Sequence, residues 1–533
     1  MDILIEKSPN DTLEYRFITL ENNIDCLLVY DKDTEKSAAS MDVGVGASIE
    51  PDDTPGLAHF LEHMLFMGTE KYPKVSEYSE FVTNNGGYCN AWTFFTDTNY
   101  MFNIANDAFE QALDIFSQFF ISPLMDKSCV DKERNAVNSE NEKNLQSDYW
   151  RYYQLLCNFS NPGSYIHKFI VGNRETLTKE DIVDRLKEFH SKYYSSNLMK
   201  LVLYSNIPLD QQEQIAKDKF SSIVDKQVQI PKLDDPIPYR PEDLGYFVKM
   251  KTVMELHEIN FLWMYKYYGD DHTKPMKYIS HILAHEGENS ILSFLIREGL
   301  ATSLYAGFQH RCKAITYIEI SITLTKKGFE NYQKVIEIVY AMINFLKQDI
   351  AENGPQQHVY EEYSQNGKLK WEFIEKYDGI DFAVNNSENM HNFTHETMQT
   401  LLKSQYCFED FNKEGIAEVV QGLVPENSLV ILLSPDFEDI QEDQFLKEKW
   451  YGTNYTKEKL DEAMLSMMTS PNIDQSSGLK LGNPNPNDLF PKDLSILEPN
   501  PEESKAPLKI FENDDMEVWY KKDDKFETPF VVA

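Results

Sequence analysis

The chain has 533 residues, 41% of them hydrophobic, with 32 Phe and 30 Tyr; it is too long for one core and too apolar for disorder, so about two to four domains are expected. Its 87 acidic side chains against 51 basic ones leave a formal charge of −36, which argues against nucleic acid or an anionic membrane surface as a partner, because both need basic patches. Six scattered cysteines without a CxxC pair read as reduced thiols, and with neither a secretory leader nor an apolar run of 18 residues the expectation is a cytoplasmic protein without a membrane span.

The chain opens with strand-like segments, "EYRFITLENNIDCLLVYD" and "SAASMDVGVGAS". Next comes "GLAHFLEHMLFMGTEKYP", residues 56–73. Leu57, Leu61, Met64 and Leu65 recur at helical spacing and would bury one face. On such a helix His59 and His63 lie one turn apart, and Glu62, three residues after His59, shares roughly that side. Two imidazoles at this spacing offer two ligands to a zinc ion, whose catalytic sites need a third protein ligand and an open position for water. HxxEH inverts the HExxH motif. Glu62 would take a proton from water at the metal and return it to the leaving amine.

A glycine-punctuated strand pair follows, "NNGGYCNAWTFFTDTNYMFNI", then helical stretches at "AFEQALDIFSQFF" and "CVDKERNAVNSENEKNL". In the second stretch Glu133 and Glu140 lie seven apart, two turns along one face, while Glu142 points away. Spacing alone leaves either of the two as the third ligand. A strand, "LMKLVLYSN", and a polar, proline-containing stretch near 230–241 close this part.

The second part repeats the grammar: a strand at "HEINFLWMYKY", helices at "KYISHILAHEG" and "ENYQKVIEIVYAMINFL", and a strand at "SLVILLSPDF". A structural duplication is suspected. Its histidine pairs, His281/His285 and His391/His395, keep the four-residue spacing, but Glu286 after the first would need a histidine at 289, which is Asn289, and Thr394 replaces the glutamate in the second, so both read as structural. Residues 469–507 are a Pro/Asn/Ser-rich linker, and "MEVWYKKDDKFETPFVVA", residues 516–533, reads as a strand, an Asp-Asp turn and the beginning of a second strand that has no partner in sight. The expected fold class is α+β: two similar domains, each a mainly antiparallel sheet packed with helices (1–243 and 244–468), then the linker and the truncated start of a third domain (508–533).

The segments "GLAHFLEHMLFMGTEKYP", "NNGGYCNAWTFFTDTNYMF", "FFISPLMDKSCVDKERNAVNSENEKN", "ILSFLIREGLATSLYAGF" and "VWYKKDDKF" stand in this order. Together they resemble the inverted-zinc-motif peptidases of the pitrilysin/insulysin family over nearly the whole chain. The resemblance implies a zinc metalloendopeptidase that cleaves small peptides or unfolded polypeptides, with one Zn2+ per chain held by His59, His63 and Glu140. Glu62 would be the catalytic base, and Glu133 a supporting glutamate behind the ligands.

It further implies that substrate lies extended against an exposed strand containing Gly87, Asn90, Ala91 and Trp92. Phe66 and Trp92 would line the pocket before the cut, with Trp150 and Tyr153 near the zinc helix; the alternative for these aromatics is ordinary core. His285, Gly287, Leu304, Tyr305, Ala306 and Gly307 would anchor the amino terminus of a captured peptide, although Glu288, Asn289 and Ala306 depart from the glycine-rich family pattern. The family carries a second half of similar size that closes a chamber, and the chain stops where it should begin. Expected partners are therefore peptide substrates and a carboxy-terminal half or homologous chain, and a homo-oligomer is compatible. The rival reading is a catalytically weak half-enzyme that serves a full-length homologue as a peptide-binding or regulatory partner.

Overall fold

The computed structural model describes residues 3–230, 236–269, 273–408, 410–471, 481–488, 490–491, 494 and 506–521. Six strands build the first sheet: β1 (Glu14–Thr19), β2 (Asp25–Tyr30), β3 (Lys36–Val43), β4 (Tyr88–Thr93), β5 (Thr98–Ala105) and β6 (Met199–Ser205). Their order is β1-β2-β6-β3-β5-β4. The uninterrupted apolar runs of β2 and β6 form the central parallel pair, as suits strands covered on both faces. All other neighbours run antiparallel.

Seven strands build the second sheet: β7 (Tyr246–Lys251), β8 (Glu258–Tyr265), β9 (Ala301–Cys312), β10 (Ile315–Leu324), β11 (Ser428–Ser434), β12 (Leu446–Lys447) and β13 (Asn454–Lys459). The order is β12-β13-β7-β11-β8-β10-β9. Five strands repeat the first sheet: β7-β11-β8-β10-β9 corresponds to β2-β6-β3-β5-β4, with one parallel pair first and antiparallel pairs after it in both. The mixed α+β architecture is thus the one the sequence pattern indicates, and the duplication suspected from it is visible in strand order.

Helices α1 (Leu57–Leu65), α2 (Glu77–Asn84), α3 (Phe109–Ile121), α4 (Lys127–Asn144) and α5 (Asp148–Phe159) follow in the first half. Ala39, Met41 and Val43 of β3 share a core with Leu57, Phe60, Leu61 and Met64 of α1 and with Phe116 and Phe119 of α3. The opposite face of the same sheet is covered from far along the chain. Helix Gly379–Asn389 packs on β3, β5 and β6, and Ala38, Val202 and Tyr204 share a core with Phe382, Ala383, Met390 and Leu401.

Residues 1–485 form one compact unit, and 486–533 a second. In the second unit β14 (Leu508–Glu512) pairs antiparallel with β15 (Glu517–Tyr520). The strand read at 517–520 thus has a partner that precedes it, β14, joined by a turn in which the Asn513 N–H donates to the Met516 carbonyl. Most of the expected linker, and the Asp-Asp turn with the strand after it, lie outside the described residues.

Candidate metal centre

Helix α1 is pinned at its start by a buried carboxylate. Glu50 accepts the N–H groups of Gly56 at 2.9 Å and Ala58 at 3.1 Å, occupying donors that a helix N-terminus leaves open. Burial outweighs these bonds and the charge of Lys168, and lifts the Glu50 carboxyl to about 8. Gly56 takes φ +85, where an L side chain is strained, and a Cβ there would run into Gly172.

From this helix His59, Glu62 and His63 bring one donor atom each to within 4.8 Å of one another. Glu140 of α4 reaches the same point: its Oε2 lies 3.5 Å from His59 Nε2 and 3.7 Å from His63 Nε2. Zinc bonds of about 2.0–2.2 Å in tetrahedral geometry separate neighbouring ligand atoms by about 3.3–3.6 Å. These donors therefore fit a zinc ion.

The far sides of the rings are also engaged. His59 Nδ1 lies 2.7 Å from the Val171 carbonyl, which fixes the tautomer that leaves Nε2 free to ligate. His63 Nδ1 lies 3.5 Å from Oε2 of the buried Glu133. Burial by itself would depress the His63 pKa, but its contacts with Glu133 and Glu140 carry it up to about 9. The His63 contact in turn lowers Glu140.

Glu62 is tied to the sheet, with Thr93 Oγ1 donating to its Oε2 at 2.7 Å. Burial raises the Glu62 carboxyl, opposed by the charges of both histidines and by the Thr93 bond. Thr93 ends β4, which pairs only with β5, so among the described residues one edge of this strand is open next to the donors. Asn90, Ala91 and Trp92 lie on β4, with Gly87 immediately before it.

The structure therefore brings together His59, Glu62, His63, Glu133 and Glu140 and sets Asn90, Ala91 and Trp92 on the adjoining edge. The other aromatics are placed differently. Phe66 ends α1 and packs on Tyr78, Tyr100 and Phe119. Trp150 and Tyr153 lie on α5 and pack edge-to-face on one another, 5.7 Å apart.

In the second half β9 is also an edge strand and carries Leu304, Tyr305, Ala306 and Gly307. Tyr305 is 53% exposed, and its hydroxyl overhangs Gly307, just as the His285 ring overhangs Gly287. A cavity of about 1490 Å³ is lined by Phe94, Tyr152, Tyr153 and Tyr305, so it runs from just past the end of β4 to β9; His59 and His63 are not among its lining residues.

The other histidine pairs assemble no donor trio among the described residues. His391 and His395 instead face Asp42 at 2.8 Å and Asp25 at 3.0 Å. Sequence reasoning missed Glu50, Thr93 and the Val171 carbonyl. Only Thr93 carried a local signal, being two residues from Ala91 on the same strand face.

Three family descriptions match: Insulinase (Peptidase family M16) over residues 26–163, Peptidase M16 inactive domain over 181–355, and Middle or third domain of peptidase_M16 over 371–532. The chain is 34% identical to the insulin-degrading enzyme of Homo sapiens, over 98% of this chain and 51% of that protein. It is 35% identical to insulin-degrading enzyme-like 2 of Arabidopsis thaliana, over 98% and 53%. The crystal structure of pitrilysin superposes with a TM-score of 0.88 at 25% identity, covering 99% of this chain and 55% of that one. The chain thus spans about half the length of the relatives it matches.

Proposed function

Given that the chain belongs to the peptidase M16, or insulinase, family, we propose that it is a zinc metalloendopeptidase acting on small peptides or unfolded polypeptides. The observation that carries the reading is the convergence of Glu140 on both Nε2 atoms at 3.5 and 3.7 Å, with Glu62 held beside them.

His59, His63 and Glu140 would hold one zinc ion, which when bound polarises a peptide carbonyl and makes a water molecule more acidic. Glu62 also lies within ligand reach. Its hydrogen bond to Thr93 and its burial suit it better to accept a proton from the attacking water and pass it to the leaving amine. Glu133 keeps the His63 ring in place.

A peptide adds itself to the open edge of β4 by main-chain hydrogen bonds, so selection follows extensibility more than sequence. Its amino-terminal part reaches His285, Gly287 and the β9 residues across the cavity. Because the relatives are about twice as long, a carboxy-terminal half or homologous chain belongs to the proposal as partner.

Metal analysis tests the ligand set. His63→Ala should lose most of the zinc that the wild-type chain carries and, with it, cleavage of a quenched fluorescent peptide. Equal zinc in both proteins sinks the assignment.

A further inference from the structure

Residues 165–174 form a strap that touches every element carrying a proposed ligand. The Val171 carbonyl meets His59 Nδ1 at 2.7 Å. Gly172, at φ +75, lies directly against Gly56 at the start of α1. The Arg174 N–H donates to Asn138 Oδ1 at 3.0 Å and its guanidinium to Asn135 Oδ1 at 2.9 Å. Both asparagines sit on α4 between Glu133 and Glu140. The strap thus sets the distance between the helix of the histidines and the helix of the acids.

What backs the strap comes from the second half of the chain. Trp450 stacks on Phe169 with ring centroids 4.4 Å apart and 12° between planes, and Tyr451 meets the same ring edge-on at 5.9 Å. Phe169 is 1% exposed, so its ring has nowhere to go if the stack is removed except into the void left behind. The turn that presents Trp450 is itself held. Glu448, 2% exposed, accepts the Trp450 N–H at 2.9 Å and the Tyr451 N–H at 2.6 Å. Lys449 Nζ lies 4.0 Å from the centre of the indole, and Arg151 of α5 donates to the Tyr451 carbonyl at 3.5 Å.

We propose that the 448–451 turn is a positioning element for the metal centre, with Trp450 holding Phe169 and thereby the Val171 carbonyl that orients His59. The inference rests on the zinc reading above. Metal-bound histidines depend on the group that fixes their other ring nitrogen, and disturbing such a group typically costs 10- to 100-fold in metal affinity. Trp450 is one step further out, so its removal acts at the lower end of that range.

The test is zinc affinity of the full chain, measured by competition with a chelator well below the unfolding temperature. Trp450→Ala should bind zinc about 10-fold more weakly, with the KM for a short peptide little changed, whereas Trp450→Phe, which keeps a ring in the stack, should stay close to wild type. Trp450→Leu keeps apolar volume without the stack and decides the matter if the alanine variant does not fold; it too should bind more weakly. Tyr332→Ala removes a stack on Phe247 elsewhere in the second half and should leave zinc affinity alone. Wild-type affinity in the folded Trp450 variants overturns the inference, as does an equal loss in Tyr332→Ala, which would mark general loosening. A wild-type chain that takes up no zinc overturns the zinc reading and the inference together.

Discussion

Helix α1 and helix Pro275–Leu283 occupy the same place in two sheets of the same strand order, each between the third and last strands of the repeated set. Both present histidines four residues apart. They differ in where the helix stops and in what faces it. His59, Glu62 and His63 all lie inside α1, whereas the second helix ends at Leu283, leaving Ala284 as its cap and His285 beyond it. Glu140 points at the first pair, while among the described residues no third donor joins the second. One architecture can therefore keep or lose a metal geometry through a single turn of helix and two carboxylates.

The comparison sharpens first at Glu62. Glu62→Gln keeps the shape and the Thr93 contact but cannot take a proton. Peptide hydrolysis should fall about 100- to 10,000-fold, the usual range for a general base, while zinc content holds. Loss of zinc in this variant would make Glu62 a ligand, and retained turnover would remove it from the reaction.

A smaller effect distinguishes how the two sheets are covered. Asp42 of β3 is fully buried beneath the far half of the chain, accepting from Asn99 Nδ2 at 2.8 Å and facing His391 at 2.8 Å. Burial pushes its carboxyl up to about 7. The folded chain thus holds a proton that the unfolded chain, with an ordinary value near 4, releases. The Asp42 contribution to stability should fall as pH rises from about 4 to about 7, because the folded state holds this proton across that window, while the facing His391, lowered by burial to about 3, contributes with the opposite sign up to its ordinary value near 6.5. Asp42→Asn should flatten the slope of the urea midpoint over this range. Asp97 and Glu388, also raised to about 7 by burial, keep some of it. An unchanged slope would mean that Asp42 is ionised when folded.

The smallest expected effect is none at all. Ala284→Glu writes HxxEH into the second helix, yet the chain should still bind one zinc, because His285 lies past the helical end. A second equivalent of zinc by metal analysis would show that the motif alone suffices and that helix length is not the discriminant.

These features differ in how far the sequence discloses them. Helix α1 and its donors are legible because apolar residues recur at helical spacing and the chemistry sits on the same face. The choice between Glu133 and Glu140 is not, since both share a face of α4 and only the packing of two helices tells which one reaches the Nε2 atoms. Glu50, Thr93 and Val171 act from 6 to 112 residues away from their partners, counted along the chain, and apart from the place of Thr93 on the β4 face no local pattern encodes such contacts. Strand β4 reads as a strand from its composition, β9 does not, and that both are edges depends on sheet order. Ser40 and Asp42 alternate with Ala39 and Met41 as a solvent-facing row would. In fact they are buried, and Ser40 meets Ser387 at 2.8 Å.

The cover on that second face has a consequence for biosynthesis. The last strand of the first sheet ends at Ser205, whereas the residues that close over Ala38, Val202 and Tyr204 extend to Leu402. At translation speeds of about 5–20 residues per second, the face stays bare for roughly 10–40 s after its strands leave the ribosome. During that interval a nascent chain presents an apolar surface with no intramolecular occupant, so holdase capture or aggregation on the polysome competes with folding until the distal helix arrives.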